Sequence, residues 1–416
     1  MNSAYDFLII GGGVNGTSIA MHLAKMGIGS VAVLEKKGLA TGATGRSGAM
    51  IREHYLTPEL VRMSSQARKF FEQWPAEHGY DINFRKTGRI LLFGENDAAS
   101  ARNNAEMNRA EGVPIETMDA KDIAEMIPGA VLDDIETVLF EPEAGYADPV
   151  ATTYAFASEA KKNGAEIYTD CEVTSIRTRG DRVIGVSSNN GTFDADVVIN
   201  VTGPWANILL NSLDEELPIE PIRVQMVHMR RPPSLENLET IVIDHTCGAY
   251  YRSDGSSNTL IGGEAPEDMM EITDPNNFGL NADHIFIQRY WSRINRRFPE
   301  FRNAICRGGY GSLYDMTPDG NPIIDKSSTI KNLYNVAGFS GHGFKLSPVI
   351  GSIVSDLVSG NGPDNEYLNM FKKDRFTTGN QIVPDFHSQS WRKISRFILG
   401  PEKEEEIQSG SHSYEL

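Results

Sequence analysis

Gly11, Gly13 and Gly16, in the run IIGGGVNGTS, have the G-x-G-x-x-G spacing with which a polypeptide holds a pyrophosphate. Gly11 permits a tight turn out of a strand. Gly13 lets the backbone approach the phosphates, and Gly16 lets the following helix pack closely. The helix start offers free N–H groups and the positive end of a dipole. Val14 and Asn15 sit inside this turn. Glu35 lies roughly twenty residues past the glycines, where a carboxylate can bind ribose hydroxyls, with Lys36 beside it. A second glycine-rich stretch runs Gly338-Phe339-Ser340-Gly341-His342-Gly343-Phe344-Lys345. It joins a strand end to a helix start, where negative charge on a bound ring would be stabilised. Between the two lies GLATGATGRSG (38–48), containing Thr44, Gly45, Arg46 and Ser47. This loop has almost no bulk, and it can lie flat against a large planar ligand.

The elements that must position these residues follow from periodicity. Phe7–Ile10 and Val31–Leu34 are short apolar runs suited to strands buried on both faces. Residues 17–26 form the helix between them, with Gly27 as its stop. Residues 57–74 predict a helix stopped by Pro75, with Leu60, Met63, Ala67, Phe70, Phe71 and Trp74 as its apolar stripe. A strand follows at 87–93, then a polar helix at 97–111 solvated on most faces, then a short helical stretch at 120–126. Asp148 is a good N-cap and Pro149 a good first residue for a helix over 150–163. Asn190-Gly191 signals a hairpin. The strand at 197–201 ends in Thr202-Gly203-Pro204-Trp205, a second approach to the nucleotide, with Val173 near it. Residues 218–263 alternate as an antiparallel sheet. Residues 283–298 predict a helix with Ile285, Ile287, Trp291 and Ile294 inside and Arg293, Arg296 and Arg297 on a solvated face. A last buried strand lies at 333–337 and a helix at 348–358.

The chain thus returns to one nucleotide-binding layer three times. The expected division is 1–50, 146–212 and 308–360 for that layer, and 51–145 with 213–307 for a substrate domain. A C-terminal extension, 361–416, ends in an acidic tail rich in glutamate. Such a discontinuous layout favours extended FAD over a nicotinamide cofactor.

With 416 residues, of which 40% are apolar, the chain can bury a substantial interior. A formal net charge of -17 disfavours nucleic acid and anionic membrane surfaces. An anionic substrate would therefore need a local cationic clamp. Three scattered cysteines, Cys171, Cys247 and Cys306, form neither a disulfide framework nor a structural metal site. A reducing, cytoplasmic setting is expected, with no signal peptide, no transmembrane segment and no metal.

IIGGGVNGTS (9–18), AMIREHY (49–55), LYDMTPDGNPIID (313–325) and NVAGFSGHGFKLSP (335–348) together resemble the D-amino-acid oxidase superfamily of FAD enzymes. Within it, the chain looks most like the sarcosine oxidase and dimethylglycine dehydrogenase group. The resemblance implies an α/β fold: an FAD-binding Rossmann-type (glutathione-reductase-like) domain with an inserted α+β antiparallel-sheet substrate domain. It also implies that Arg52 and Lys345 clamp a substrate carboxylate, a pairing that a guanidinium suits through two hydrogen bonds. Tyr314 would line the same pocket, with Tyr250, Tyr251 and His342 as further candidates. Ser312 stands where a relative with covalent flavin has cysteine, and Gly45 and Ala49 replace that relative's histidine and arginine. Dissociable, non-covalent FAD is therefore expected. Ala147 is the nearest match to a histidine that carries a second flavin in heterotetrameric sarcosine oxidase. The stretch 248–252 has no lysine matching the oxygen-activating lysine of monomeric sarcosine oxidase.

The leading expectation is FAD-dependent oxidation of an amino acid, in particular a secondary or N-methylated amine. A hydride would pass to flavin N5, and the imine product would hydrolyse. Oxygen, an electron-acceptor protein or a quinone would take the electrons. The alternatives are a D-amino-acid, cyclic imino-acid or opine-type dehydrogenase, or a flavoprotein subunit or assembly factor acting through a partner in a homo- or hetero-oligomer. An NAD-linked enzyme would carry no yellow cofactor.

Overall fold

In the computed structural model, which describes residues 4–360, 362 and 365–382, the strand Ala4–Ile10 is the spine of the first sheet. It pairs in parallel with Val31–Leu34 on one side and Gly191–Asn200 on the other. Glu166–Tyr168 extends the sheet beyond Val31–Leu34, also in parallel. Leu333–Ala337 pairs in parallel with the C-terminal end of Gly191–Asn200, and Ile323–Lys326 closes that edge antiparallel. An antiparallel ribbon of Val173–Arg179 and Arg182–Ser188 flanks the other half of Gly191–Asn200. Three separated stretches of sequence thus contribute to one Rossmann-like sheet.

Every residue of Val31–Leu34 is buried, as a parallel strand covered on both faces requires. Side chains alternate: Phe7, Ile9, Val31 and Val33 enter one core cluster, and Leu8, Ile10, Ala32 and Leu34 enter another. The helix Val14–Met26 covers the first cluster, flanked by Pro149–Lys162 and Gly343–Ser359. It crosses Gly343–Ser359 at small residues: the Ser18 hydroxyl donates to Ser347 O at 2.7 Å, and a Cβ on Gly351 would lie 2.2 Å from that hydroxyl. The Asp148 carboxylate accepts from the N–H groups of Val150 and Ala151, both at 2.9 Å, and so caps Pro149–Lys162.

The second sheet runs Ile305–Met316, Glu220–Arg230, Asn258–Gly263, Ala249–Asp254, Ile241–Asp244, Arg89–Phe93, Thr137–Glu141 and Glu116–Met118. Its pairings are antiparallel except that of Ile241–Asp244 with Arg89–Phe93, which is parallel. Leu91, Ile243, Tyr250 and Leu260 turn toward the cluster shared with the first sheet's helices. Ile90, Leu92, Val242, Tyr251 and Ile261 turn the other way, under the helix His284–Arg297. Ile305–Met316 pairs in this second sheet, although the sequence division places residues from 308 onward with the nucleotide layer.

Several sequence expectations need correction. Pro75 does not stop its helix, which runs Pro58–His78 and ends at Gly79 in the left-handed region with φ 77°. The turn beyond the proline is held by the Trp74–His78 stack at 3.8 Å. The polar helix, Glu95–Ala110, hides Asn104 and Asn108, and both side-chain amides bond to the backbone of Tyr55. In His284–Arg297 the inner face is Phe286, Tyr290, Ile294 and Arg297, whereas Ile285 is 70% exposed. Ile285 is one residue, roughly 100° of helix, away from that stripe. Arg297 is not solvated: it is buried against Asp244, 2.7 Å from Nε, and Asp134, 2.9 Å from its terminal nitrogen. Residues 120–126 yield only the 3-10 turn Ala120–Ile123, and the helix expected over 348–358 starts earlier, at Gly343. The acidic tail lies outside the described residues. Among the described residues no helix is long and apolar enough to cross a membrane.

Candidate active site

A cleft of about 530 Å³ opens along the ends of the first sheet's strands. Gly11, Gly13, Val14, Asn15 and Gly16 line it, with Glu35, Lys36, Thr44, Arg46, Ser47, Val173, Thr202, Gly203 and Trp205. Gly341, Gly343, Phe344 and Tyr314 face it from the last glycine-rich stretch and from the second sheet.

The glycine turn is built for a ligand. Gly11 has φ 112°, and a Cβ there would meet Val201 O at 2.6 Å. A Cβ on Gly16 would meet Gly11 O at 2.0 Å, so helix and strand touch backbone to backbone. At Gly13 the nearest atom would be Thr44 Oγ1 at 3.2 Å, so this side faces the cleft. No side chain caps the helix at Gly13, and its first turn has no acid. Its first-turn N–H groups lack intrahelical acceptors, and the Val14 N–H turns to Thr44 Oγ1 at 3.2 Å. Among the described residues, the side-chain oxygen of Asn15 is buried without a partner. Glu35 is fixed by accepting from the N–H groups of Gly12 at 2.7 Å and Lys37 at 2.9 Å. An open glycine face, uncapped donors and an orphaned acceptor on one wall fit an extended dinucleotide with a pyrophosphate at its middle.

Beside the cleft, the second glycine-rich stretch meets the segment 49–55. His342 is the N-cap of Gly343–Ser359. Its Nδ1 accepts from the Tyr55 hydroxyl at 3.1 Å and lies 3.5 Å from an Arg52 nitrogen. Arg52 can only donate, so Nδ1 carries no proton and the imidazole is neutral. Burial, with Lys345 and Arg52 alongside, holds His342 well below its usual range. The Arg52 guanidinium lies over the Tyr55 ring at 4.0 Å and donates to His54 O. Lys345 is buried, and its ammonium donates to Gly341 O at 3.3 Å. Burial first, then Arg52 and Arg89, push its pKa well below the ordinary lysine value. Among the described residues it has no carboxylate at ion-pair distance.

Arg89 is a third cation here. It is buried and paired with Glu141 at 3.0 Å. Glu141 also accepts from the N–H groups of Glu53 and His54, the latter at 3.0 Å, so one carboxylate pins the segment that carries Arg52. The Tyr250 ring covers Gly262, where a Cβ would lie 2.2 Å from it, and a Cβ on Gly48 would lie 3.1 Å from its hydroxyl. Burial pushes the Tyr314 phenol up to about 12 and the Tyr250 phenol well above its usual value, so both are neutral donors. Ala49 and Ser340, non-glycine residues with φ of 49° each, lie in the two loops that meet here.

The structure redistributes the expected residues. Arg52, Lys345, His342 and Tyr314 come together, although the first three stand behind the cleft wall rather than on it. Tyr251 does not join them. It points into the opposite core, edge-on to Phe298 at 5.9 Å, because adjacent strand residues face opposite ways. Tyr250 occupies the site face instead. Gly45 packs against Ala40 O and borders a separate pocket with Tyr146 and Arg252, and Gly338 serves a turn in which its N–H donates to the Asp315 carboxylate at 2.7 Å. Tyr251→Phe is therefore expected to leave kcat/KM unchanged and to lower Tm only slightly, whereas Tyr250→Phe raises KM; steady-state kinetics on the pair checks this. Sequence reasoning missed Arg89, Glu141 and Tyr55. The charge within the run TGRILLF was the available signal for Arg89.

Residues 6–357 match the DAO family, described as FAD dependent oxidoreductase. The sarcosine oxidase subunit beta of Arthrobacter sp is 30% identical over 389 residues, 91% of this chain and 93% of that protein. The L-proline dehydrogenase of P.horikoshii superposes with a TM-score of 0.83 at 26% identity, over 91% of this chain and 99% of that one. Glycine oxidase of Geobacillus kaustophilus superposes with a TM-score of 0.78 at 25% identity, over 90% of this chain and 99% of that one.

Proposed function

The chain belongs to the DAO family of FAD dependent oxidoreductases, and on that premise we propose that it oxidises a small amino acid, with a secondary or N-methylated amine as the preferred class. The observation that carries the reading is the buried Lys345 ammonium, unpaired with any carboxylate among the described residues and adjacent to Arg52. Two adjacent basic groups with no ion pair among the described residues are a site for an anion brought by the substrate.

FAD, held along the cleft by the Gly11–Gly16 turn, Glu35 and Thr44, supplies the acceptor for a hydride. The protein's part is orientation and charge. Arg52 and Lys345 fix the carboxylate, the neutral His342 and Tyr55 hold the guanidinium in place, and Tyr250 and Tyr314 wall the amine end and exclude water. His342, being neutral, adds no further positive charge against the amine. Names of the relatives, sarcosine oxidase, L-proline dehydrogenase and glycine oxidase, support a small amino acid as substrate. The subunit name of the first supports work within a multi-subunit assembly; oxygen, an electron-acceptor protein or a quinone would take the electrons. Ser312, which has no thiol to form a thioether, supports dissociable FAD.

The purified protein is expected to be yellow, and acid precipitation is expected to release its FAD into the supernatant. Without oxygen, N-methyl, cyclic and D-amino acids are then titrated while flavin absorbance is followed. Bleaching by one class identifies the substrate, and slow return of colour in air marks a dehydrogenase. A flavin that no amino acid bleaches would sink the reading and leave a non-catalytic flavoprotein subunit in its place.

A further inference from the structure

Glu264 is a carboxylate that the functional reading has not used. It follows the strand Asn258–Gly263, and its N–H donates to Gly248 O at 2.9 Å, which carries the pairing with Ala249–Asp254 one step further. Alternate residues of a strand share a face. Leu260 belongs to the core cluster on the site side, and Gly262 carries the Tyr250 ring on that side, so Glu264 projects there too. Its charge bears on groups from four elements and one turn. It works against the lowering of Lys345 and Arg89, it raises the imidazole of His245, and it raises the phenols of Tyr250 and Tyr314. Among the described residues its side chain has no hydrogen bond or ion pair. Glu141, the other acid beside Arg89, is already engaged with Arg89 and two backbone N–H groups.

Resting on the proposed function, we infer that Glu264 receives the substrate's amine nitrogen and makes the pocket selective for zwitterions. Arg52 and Lys345 alone would draw any small carboxylic acid and would repel a protonated amine next to it. One carboxylate on the same side of the sheet turns a cationic site into a dipole. An amino acid fits that dipole in a single orientation, with its carboxylate at Lys345 and its amine at Glu264. Glu264 acts by positioning: it fixes which side of the α-carbon faces the cofactor cleft.

The test uses the FAD-loaded full chain and two probes of nearly equal shape. In 2-aminoisobutyrate an ammonium stands where pivalate has a methyl group, and the amino acid has no α-hydrogen to lose. Binding of each is read from the flavin difference spectrum, for the wild type and for Glu264→Gln. The variant is expected to weaken 2-aminoisobutyrate about tenfold or more, the loss of a charge-assisted hydrogen bond. Pivalate should bind unchanged or more tightly. Glu264→Asp should recover part of the amino-acid affinity, and FAD content and Tm should match the wild type. Equal weakening of both probes, or no change in either, overturns the inference while leaving the carboxylate pocket standing. A wild type that binds neither probe removes that pocket, and the inference with it.

Discussion

Arg52→Ala is expected to lower kcat/KM by roughly 10²–10³, mostly through KM. Truncating one partner of a buried charge pair costs about 2–5 kcal/mol, and each 1.4 kcal/mol is about tenfold in affinity. The guanidinium is already oriented by the Tyr55 ring at 4.0 Å and by His54 O, so little conformational freedom is lost when the carboxylate arrives. Arg52→Lys should recover little of this, because a point charge reproduces neither the fork nor the ring contact. Lys345→Met is expected to have a similar effect on KM and the opposite effect on the protein itself. The native ammonium is buried with one carbonyl partner, so replacing it by an apolar side chain of similar length should raise Tm. Stability would rise as activity falls, which marks a group retained for function. In a double-mutant cycle the two losses should be less than additive, since both residues grip one anion. Unchanged KM in both single variants would remove the carboxylate clamp from the account.

What the sequence could disclose was local. The turn around Gly11, Gly13 and Gly16 is a short-range device, and its spacing is its mechanism, so those residues lie where the pattern places them. The strand Val31–Leu34 and the Asp148 cap are local for the same reason. The misplaced residues all depend on something the chain meets far away. Tyr250 and Tyr251 are equivalent as letters, and only the pairing of Tyr250 with Gly262 shows which of them faces the site. The inner face of His284–Arg297 was shifted because Ile285 looks apolar, yet the sheet it covers accepts Phe286, Tyr290 and Ile294. Arg297 looked solvated until Asp244, 53 residues away, supplied its partner. Glu141 serves Arg52 from 88 residues beyond Glu53, a separation that no window along the sequence can see. Buried polar groups cannot be read without their partners, and here the partners lie some fifty or more residues away along the chain.

The cofactor side allows the second large prediction: Gly16→Ala should yield a chain that folds but purifies without FAD, with affinity for added FAD reduced about a hundredfold or more. The added methyl would sit 2.0 Å from Gly11 O, and both neighbours are backbone, so neither can rotate aside. The helix Val14–Met26 must then move off the strand. Its first-turn N–H groups, which lack intrahelical acceptors, move with it and lose their aim at the pyrophosphate. A shift of this kind disturbs ligand binding more than folding, because the buried stripe of that helix, Ile19, Ala20 and Leu23, lies farther along and can stay packed. Gly27→Ala is the control. Gly27 ends the same helix with φ 64° and has nothing within 4 Å of the added methyl. It should lose about 1 kcal/mol of stability through its left-handed backbone and keep its FAD. The ratio of flavin to protein absorbance and the Kd for added FAD separate the two variants. If Gly16→Ala instead retains stoichiometric FAD, the close contact of helix and strand is not what aims the turn, and phosphate binding must be carried elsewhere along the cleft.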